Sequence, residues 1–263
     1  MIREIRTGLV SQGRPPATSP DQRLFRLTDY WLVGDTIECL NENSAMQNVF
    51  STRHNDLPDE LPLFPLTGAV LLPNGQLPLN IFEPRYLNMV LDALAGPRLI
   101  GMVQPLPGTE SDLPELHLTG CAGRVVSFNE TRDDRLLIVL GGVCRFDIVK
   151  ELDARRGYRQ SVVNWERFAH DLDQERDLDL EKKGLLDSVR RYLEQRNLSV
   201  EWEVLKDLEI PELVDTLGCS LPFSPREKQG LVEALILRDR YDLVSALCEF
   251  GTTSLAEASP RPH

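Results

Sequence analysis

Between Leu61 and Leu94 the chain reads LPLFPLTGAVLLPNGQLPLNIFEPRYLNMVLDAL, an apolar opening that passes into a helical pattern through Phe82-Glu83-Pro84-Arg85-Tyr86. Proline and glycine punctuate everything before the helix and limit it to short runs. Pro84 suits a first helical turn, where its missing N–H is no loss. Leu87, Val90, Leu91 and Leu94 then recur at i, i+3, i+4 and i+7, which predicts one apolar stripe, with Arg85, Asn88 and Asp92 on the other side. Gly96-Pro97 predicts the stop: a residue that accepts the left-handed conformation, then one that cannot continue a helix. The stretch constrains architecture more than activity. It holds no nucleophile with a base, no metal-ligand cluster and no phosphate loop.

From Leu61 to about Phe168 the pattern is mainly β. Short runs rich in Val, Ile, Leu and Phe occur at 69–72, 77–82, 99–103, 123–128, 136–140, 143–149 and 158–168, with turn-forming residues between them. Asp133-Asp134 fits a hairpin turn between Phe128 and Leu136. Gly141-Gly142 permits either a tight turn or a bulge. In Arg145–Lys150 the alternation sends Phe146 and Ile148 one way and Arg145, Asp147 and Val149 the other, as in a strand half in the core. A closed or nearly closed barrel buries such strands without bare edges.

After Asp171 the texture becomes helical. Leu185, Leu186, Val189 and Leu193 form a stripe, and Leu213, Val214 and Leu217 form a shorter one ending at Gly218. Ser224-Pro225-Arg226-Glu227 is a capping box with proline in the first turn, launching Leu231, Ala234 and Leu235. A last helix through Leu243, Leu247 and Phe250 is expected to stop at Gly251. The expected organisation is a disordered arm over 1–55, a β-barrel part over 56–170, a helical bundle over 171–251 and a flexible tail over 252–263. The charge-rich span 169–179 is the linker.

The arm has too little apolar surface to offset its ordering entropy. It carries six arginines (3, 6, 14, 23, 26, 53) and six acids (4, 21, 29, 35, 38, 42), so the net charge of −12 lies downstream. Met46 offers an alternative translation start that would make 1–45 an artefact of gene calling. Acidity of this degree works against a nonspecific hold on nucleic acid or anionic membrane. The five cysteines, 39, 121, 144, 219 and 248, never form a C-x-x-C pair and read as buried thiols in a reducing compartment. With no signal-peptide core and no membrane-length apolar run, the expected location is cytoplasmic.

Several chemistries fail for want of residues. None of the lysines 150, 182, 183, 206 and 228 follows a glycine, so no P-loop is present to bind ATP. His54, His117, His170 and His263 are isolated, unlike the paired histidines of a zinc peptidase. No G-x-S-x-G elbow presents a serine. Glu83 and Arg85 could be read as an acid and an electrophilic clamp. The structural reading is preferred: the carboxylate meets the positive end of the helix dipole, and the arginine ties the helix to a neighbouring loop. Phe64, Phe82, Tyr86 and Trp165 are candidates to line a face for apolar polypeptide, with core packing the preferred reading for each taken singly.

These residues carry a resemblance. Leu61–Leu66, Val70-Leu71-Leu72-Pro73, Pro78-Leu79 and Phe82–Tyr86 are similar to the N-terminal substrate-binding domain of the Lon protease family. Gly120–Val125 resembles that family's glycine-containing strand, and Leu140-Gly141-Gly142-Val143-Cys144-Arg145-Phe146 resembles its L-x-G-x-x-R-F segment. The chain looks like the stand-alone bacterial form, without the ATPase and peptidase parts of a complete Lon. The resemblance implies an α+β fold, a PUA-like β pseudobarrel with one embedded helix followed by a C-terminal helical bundle. Glu83, Pro84, Arg85, Tyr86, Gly142 and Arg145 are the motif positions and are expected to be structural. Phe64, Phe82 and Trp165 are the weaker candidates for peptide contact. The implied function is non-catalytic recognition of protein or peptide, as unfolded segments or together with a separate protease, with no cofactor, metal, ATP or membrane. RNA or nucleotide binding on a PUA-like fold is one alternative, and a hydrolase with an unrecognised site is another.

Overall fold

A computed structural model describes residues 53–108, 113–132, 134–173 and 180–257, the last six of these without their side chains. The expectations for the arm up to residue 52, for Met46, for Asp133, for most of the linker and for 258–263 lie outside those residues.

Six strands make one sheet: β1 (Glu60–Pro65), β2 (Gln76–Ile81), β3 (Leu99–Val103), β4 (Thr119–Glu130), β5 (Leu136–Arg155) and β6 (Tyr158–Asn164). Their order is β2-β5-β4-β3-β1-β6, and β6 pairs back onto β5. The pairings of β5, β4, β3, β1 and β6 therefore close on themselves, while β2 is added to the first half of β5. Only β1 and β3 run parallel.

The length of β5 makes this possible. The runs 136–140 and 143–149 are one strand of 20 residues, and Gly141-Gly142 is no turn. Ala122 lies opposite Cys144 and Gly123 opposite Gly142, so Val143 is the extra residue of a bulge. Gly142 tolerates no side chain: a Cβ there would stand 1.9 Å from the Leu72 carbonyl oxygen. The bulge lets one strand pair with β2 at its start and enter the ring at its end.

The segment 69–72, expected to be a strand, pairs with no strand among the described residues; the strand is Glu60–Pro65 instead. It runs between two hydrophobic interiors. Val70 and Leu72 pack with the helical bundle, whereas Leu71 packs inside the barrel. The period of two is real, and it serves two cores in place of one core and solvent.

Helix α1 (Pro84–Leu94) covers one side of the barrel. Its buried residues are Met89, Val90 and Ala93, while Leu91 is exposed, so the stripe is rotated from the one the leucines suggest. Arg98, with φ 61°, takes the left-handed position expected of Gly96, and its N–H reaches the Ala93 carbonyl. The polar side of α1 is tied down. Asn88 and Asp92 bind Arg156 in the two-residue turn Arg156-Gly157, where both φ angles are positive, and Asp92 also accepts from the Tyr158 hydroxyl at 2.8 Å.

The bundle comprises α2 (Lys182–Gln195), α3 (Trp202–Asp207), α4 (Ile210–Ser220), α5 (Pro225–Glu233) and α6 (Leu237–Glu257). The capping box at Ser224 forms as expected, with bonds of 3.3 and 2.7 Å between Ser224 and Glu227. α4 does not stop at Gly218, nor α6 at Gly251. Both glycines are places of close approach, the first to Leu72 and the second to the Tyr192 ring. α5 ends before Leu235, which is exposed, and α6 buries Val244 and Cys248 while Phe250 faces out.

Candidate functional site

The motif residues form two separate groups. At the start of α1, Glu83 is the N-cap residue yet makes no side-chain cap; its Oε2 accepts from Arg85 Nε at 2.9 Å. Arg85 also lies over the Tyr86 ring at 4.7 Å, and that ring packs on Phe64 at 4.3 Å. Burial pushes the Tyr86 hydroxyl above its ordinary value. The loop contact expected of Arg85 is made by packing, its Cβ lying against Gly157, while its charge goes to Glu83.

The second group lies between barrel and bundle. Arg145, expected on the solvated side of its strand, is fully buried. Its Nε and one terminal nitrogen bind Asp171 at 2.9 and 2.7 Å, and the remaining donors go to the carbonyls of Val232, Ala234 and Leu235. Every guanidinium N–H thus has a partner, and Phe168 stacks on it at 4.3 Å. Asp171 belongs to the short 3-10 helix Glu166–Leu172, so the first residues of the expected linker are a buried anchor. A second buried pair, Arg240 and Asp215 at 2.8 Å, also holds Asn74. These charges link parts of the fold.

Burial pushes the thiols of Cys144, Cys219 and Cys248 up to about 12, which suppresses the thiolate. His117 stands 3.9 Å from Glu233, and His170 Nε2 is 2.7 Å from the Leu235 carbonyl oxygen. Among the described residues no group of His, Cys, Asp and Glu is suited to a metal ion, and no helix is long and apolar enough to cross a membrane.

Of the three ring candidates, Phe64 and Trp165 are each 6% exposed and sit in different core clusters. Phe82 is 61% exposed. It has company that the sequence reading missed: Val126, Phe128 and Leu137 are also exposed, around the hairpin of β4 and β5. Leu137 lies opposite both Asn80 of β2 and Asn129 of β4, and Val126 covers Gly141 on the same outer face. Phe128, opposite Ile138, projects from the other face, and Arg135 stands 5.8 Å from the Phe82 ring. The signal was present in Leu136–Leu140. Five apolar residues in a row leave a strand apolar on both faces.

Residues 60–248 match the family model described as the ATP-dependent protease La (LON) substrate-binding domain. The chain is 26% identical over 198 residues to a Lon protease of Flavobacterium johnsoniae, covering 71% of this chain and 23% of that protein. It is 29% identical over 198 residues to Lon protease 2 of Sorangium cellulosum, with coverage of 72% and 24%. The chain thus spans about a quarter of the length of these relatives. Among solved structures, the Lon N-terminal domain protein from Xanthomonas campestris is similar at 26% identity and a TM-score of 0.51, over 71% of this chain and 97% of that one.

Proposed function

Because the chain belongs to the Lon substrate-binding domain family, we propose that it is a non-catalytic module that binds polypeptide, acting as an adaptor or holder in protein quality control. The family match over residues 60–248 carries this reading. The exposed apolar residues Phe82, Val126, Phe128 and Leu137, on the two faces around the β4–β5 hairpin, support it, since such residues on an otherwise acidic protein are suited to apolar chain segments. In this reading the strand ring is a PUA-like pseudobarrel serving as a scaffold, the protein works in the cytoplasm, and a separate protease receives what it holds.

The test is titration of the full chain with a permanently unfolded, reduced and alkylated protein and with the native form of that protein. Binding of the unfolded form below ~100 μM, and weaker binding of the native one, is expected. Phe82→Ser with Leu137→Ser should weaken it about tenfold. No binding of the unfolded form, or casein cleavage with or without ATP, would overturn the reading. So would a salt-sensitive complex with RNA in place of protein.

A further inference from the structure

We propose that β2 is an acceptor edge, at which an extended segment of unfolded polypeptide pairs as an additional strand of the sheet. The inference rests on the polypeptide-binding reading above and names how the polypeptide is held.

Among the described residues strand β2 is paired on one side only, to β5. Pro78 lies opposite Val139 and has no N–H to give to the ladder, so its nitrogen faces away from β5. Alternation then places the N–H and C=O groups of Gln76 and Asn80 on the same free edge, together with the Pro78 carbonyl. Gln76 and Asn80 are exposed, and among the described residues no hydrogen bond occupies these backbone groups. An unpaired edge of this kind is complementary to one object, another extended backbone.

The side chains define the segment further. Leu77 and Leu79 are half-buried at the margin of the barrel core, so residues of an added strand on their side would extend an apolar layer. Residues on the other side would meet Gln76 and Asn80. The fitting ligand therefore alternates apolar and polar residues and lacks proline. The net charge of −12 favours basic residues at its polar positions. A second copy of the chain fits less well: it brings the same negative charge, and two β2 edges would set one proline against another and lose a further hydrogen bond.

The probe is a fluorescent peptide of alternating valine and threonine between terminal lysines, titrated against the full chain. Its twin carries N-methyl groups on two adjacent central residues, which blocks both of its edges without changing its side chains. The twin should bind at least about tenfold more weakly. Asn80→Pro should weaken the parent peptide about fivefold, and Pro78→Thr, which restores a donor to the free edge, should tighten it about threefold. Circular dichroism establishes that each variant is folded; should Asn80→Pro fail to fold, the other two comparisons decide. Equal binding of parent and twin, with both variants unchanged, overturns the edge and leaves the binding reading standing. No binding of these peptides or of unfolded protein overturns both. A dimer dissolved by Asn80→Pro, with no peptide bound, assigns the edge to a second copy and overturns the proposal.

Discussion

The guanidinium of Arg145 and the carboxylate of Asp171 meet at 2.7 Å with both side chains almost wholly removed from water. Three carbonyls, one in the last turn of α5 and two in the link to α6, complete the cation's shell, so one arginine fastens a barrel strand to the bundle. Removing it leaves a buried carboxylate without a counter-charge. Arg145→Leu should therefore cost about 3–5 kcal/mol in urea unfolding. The double variant with Asp171→Leu should recover part of that loss, because no orphaned charge remains.

Glycine substitutions should divide sharply by position. At Gly142 a methyl group would collide with backbone, and Gly142→Ala should lose about 3 kcal/mol or more, or fail to fold. At Gly184, in the first turn of α2, the nearest atom is the flexible end of Glu181 at 3.4 Å. Gly184→Ala should gain about 0.5–1 kcal/mol, read as a shift in the denaturation midpoint.

Burial, and then the bond to Asp92, pushes the Tyr158 hydroxyl up to about 12 from 10.0. A raised value in the folded state means a contribution fully present below pH 10 and lost as the pH rises through about 12. Asp92 is lowered, chiefly by the same bond, so its contribution is present above pH 3.8 and lost at more acid pH. Tyr158→Phe should flatten both limbs of the stability profile relative to wild type.

The four described cysteines are buried and free. In a Cys39→Ser background, a thiol reagent should label Cys121, Cys144, Cys219 and Cys248 slowly under native conditions and rapidly in denaturant. Rapid native labelling of any of them would contradict the packing described above.

Element type was legible where local chemistry dominates. Proline at the first turn, the capping box at Ser224 and the apolar runs of β3 and β5 each rest on near neighbours in sequence. Helix phase was not. Leucine marks a stripe most loudly, yet the centres of α1 and α6 are taken by Met89, Ala93, Val244 and Cys248, several of them smaller residues that let backbones approach. Arg145 was placed outward because a charge on an alternating strand normally faces water. Its partner lies 26 residues away and its carbonyls nearly 90, beyond any local pattern. The exposed residues of β4 and β5 were legible only as apolarity on both faces of Leu136–Leu140, since apolar sequence alone does not distinguish a core from an unoccupied surface.

Leu71 and Leu72 are neighbours in the chain and belong to different interiors. A cut near residue 170, where composition suggests a boundary, would leave Val70 and Leu72 on the barrel fragment with nothing to cover them. The bundle fragment would lack two residues of its own centre. During synthesis the early segment must wait, unsheltered, until more than a hundred later residues have emerged. Barrel and bundle should accordingly melt in one transition.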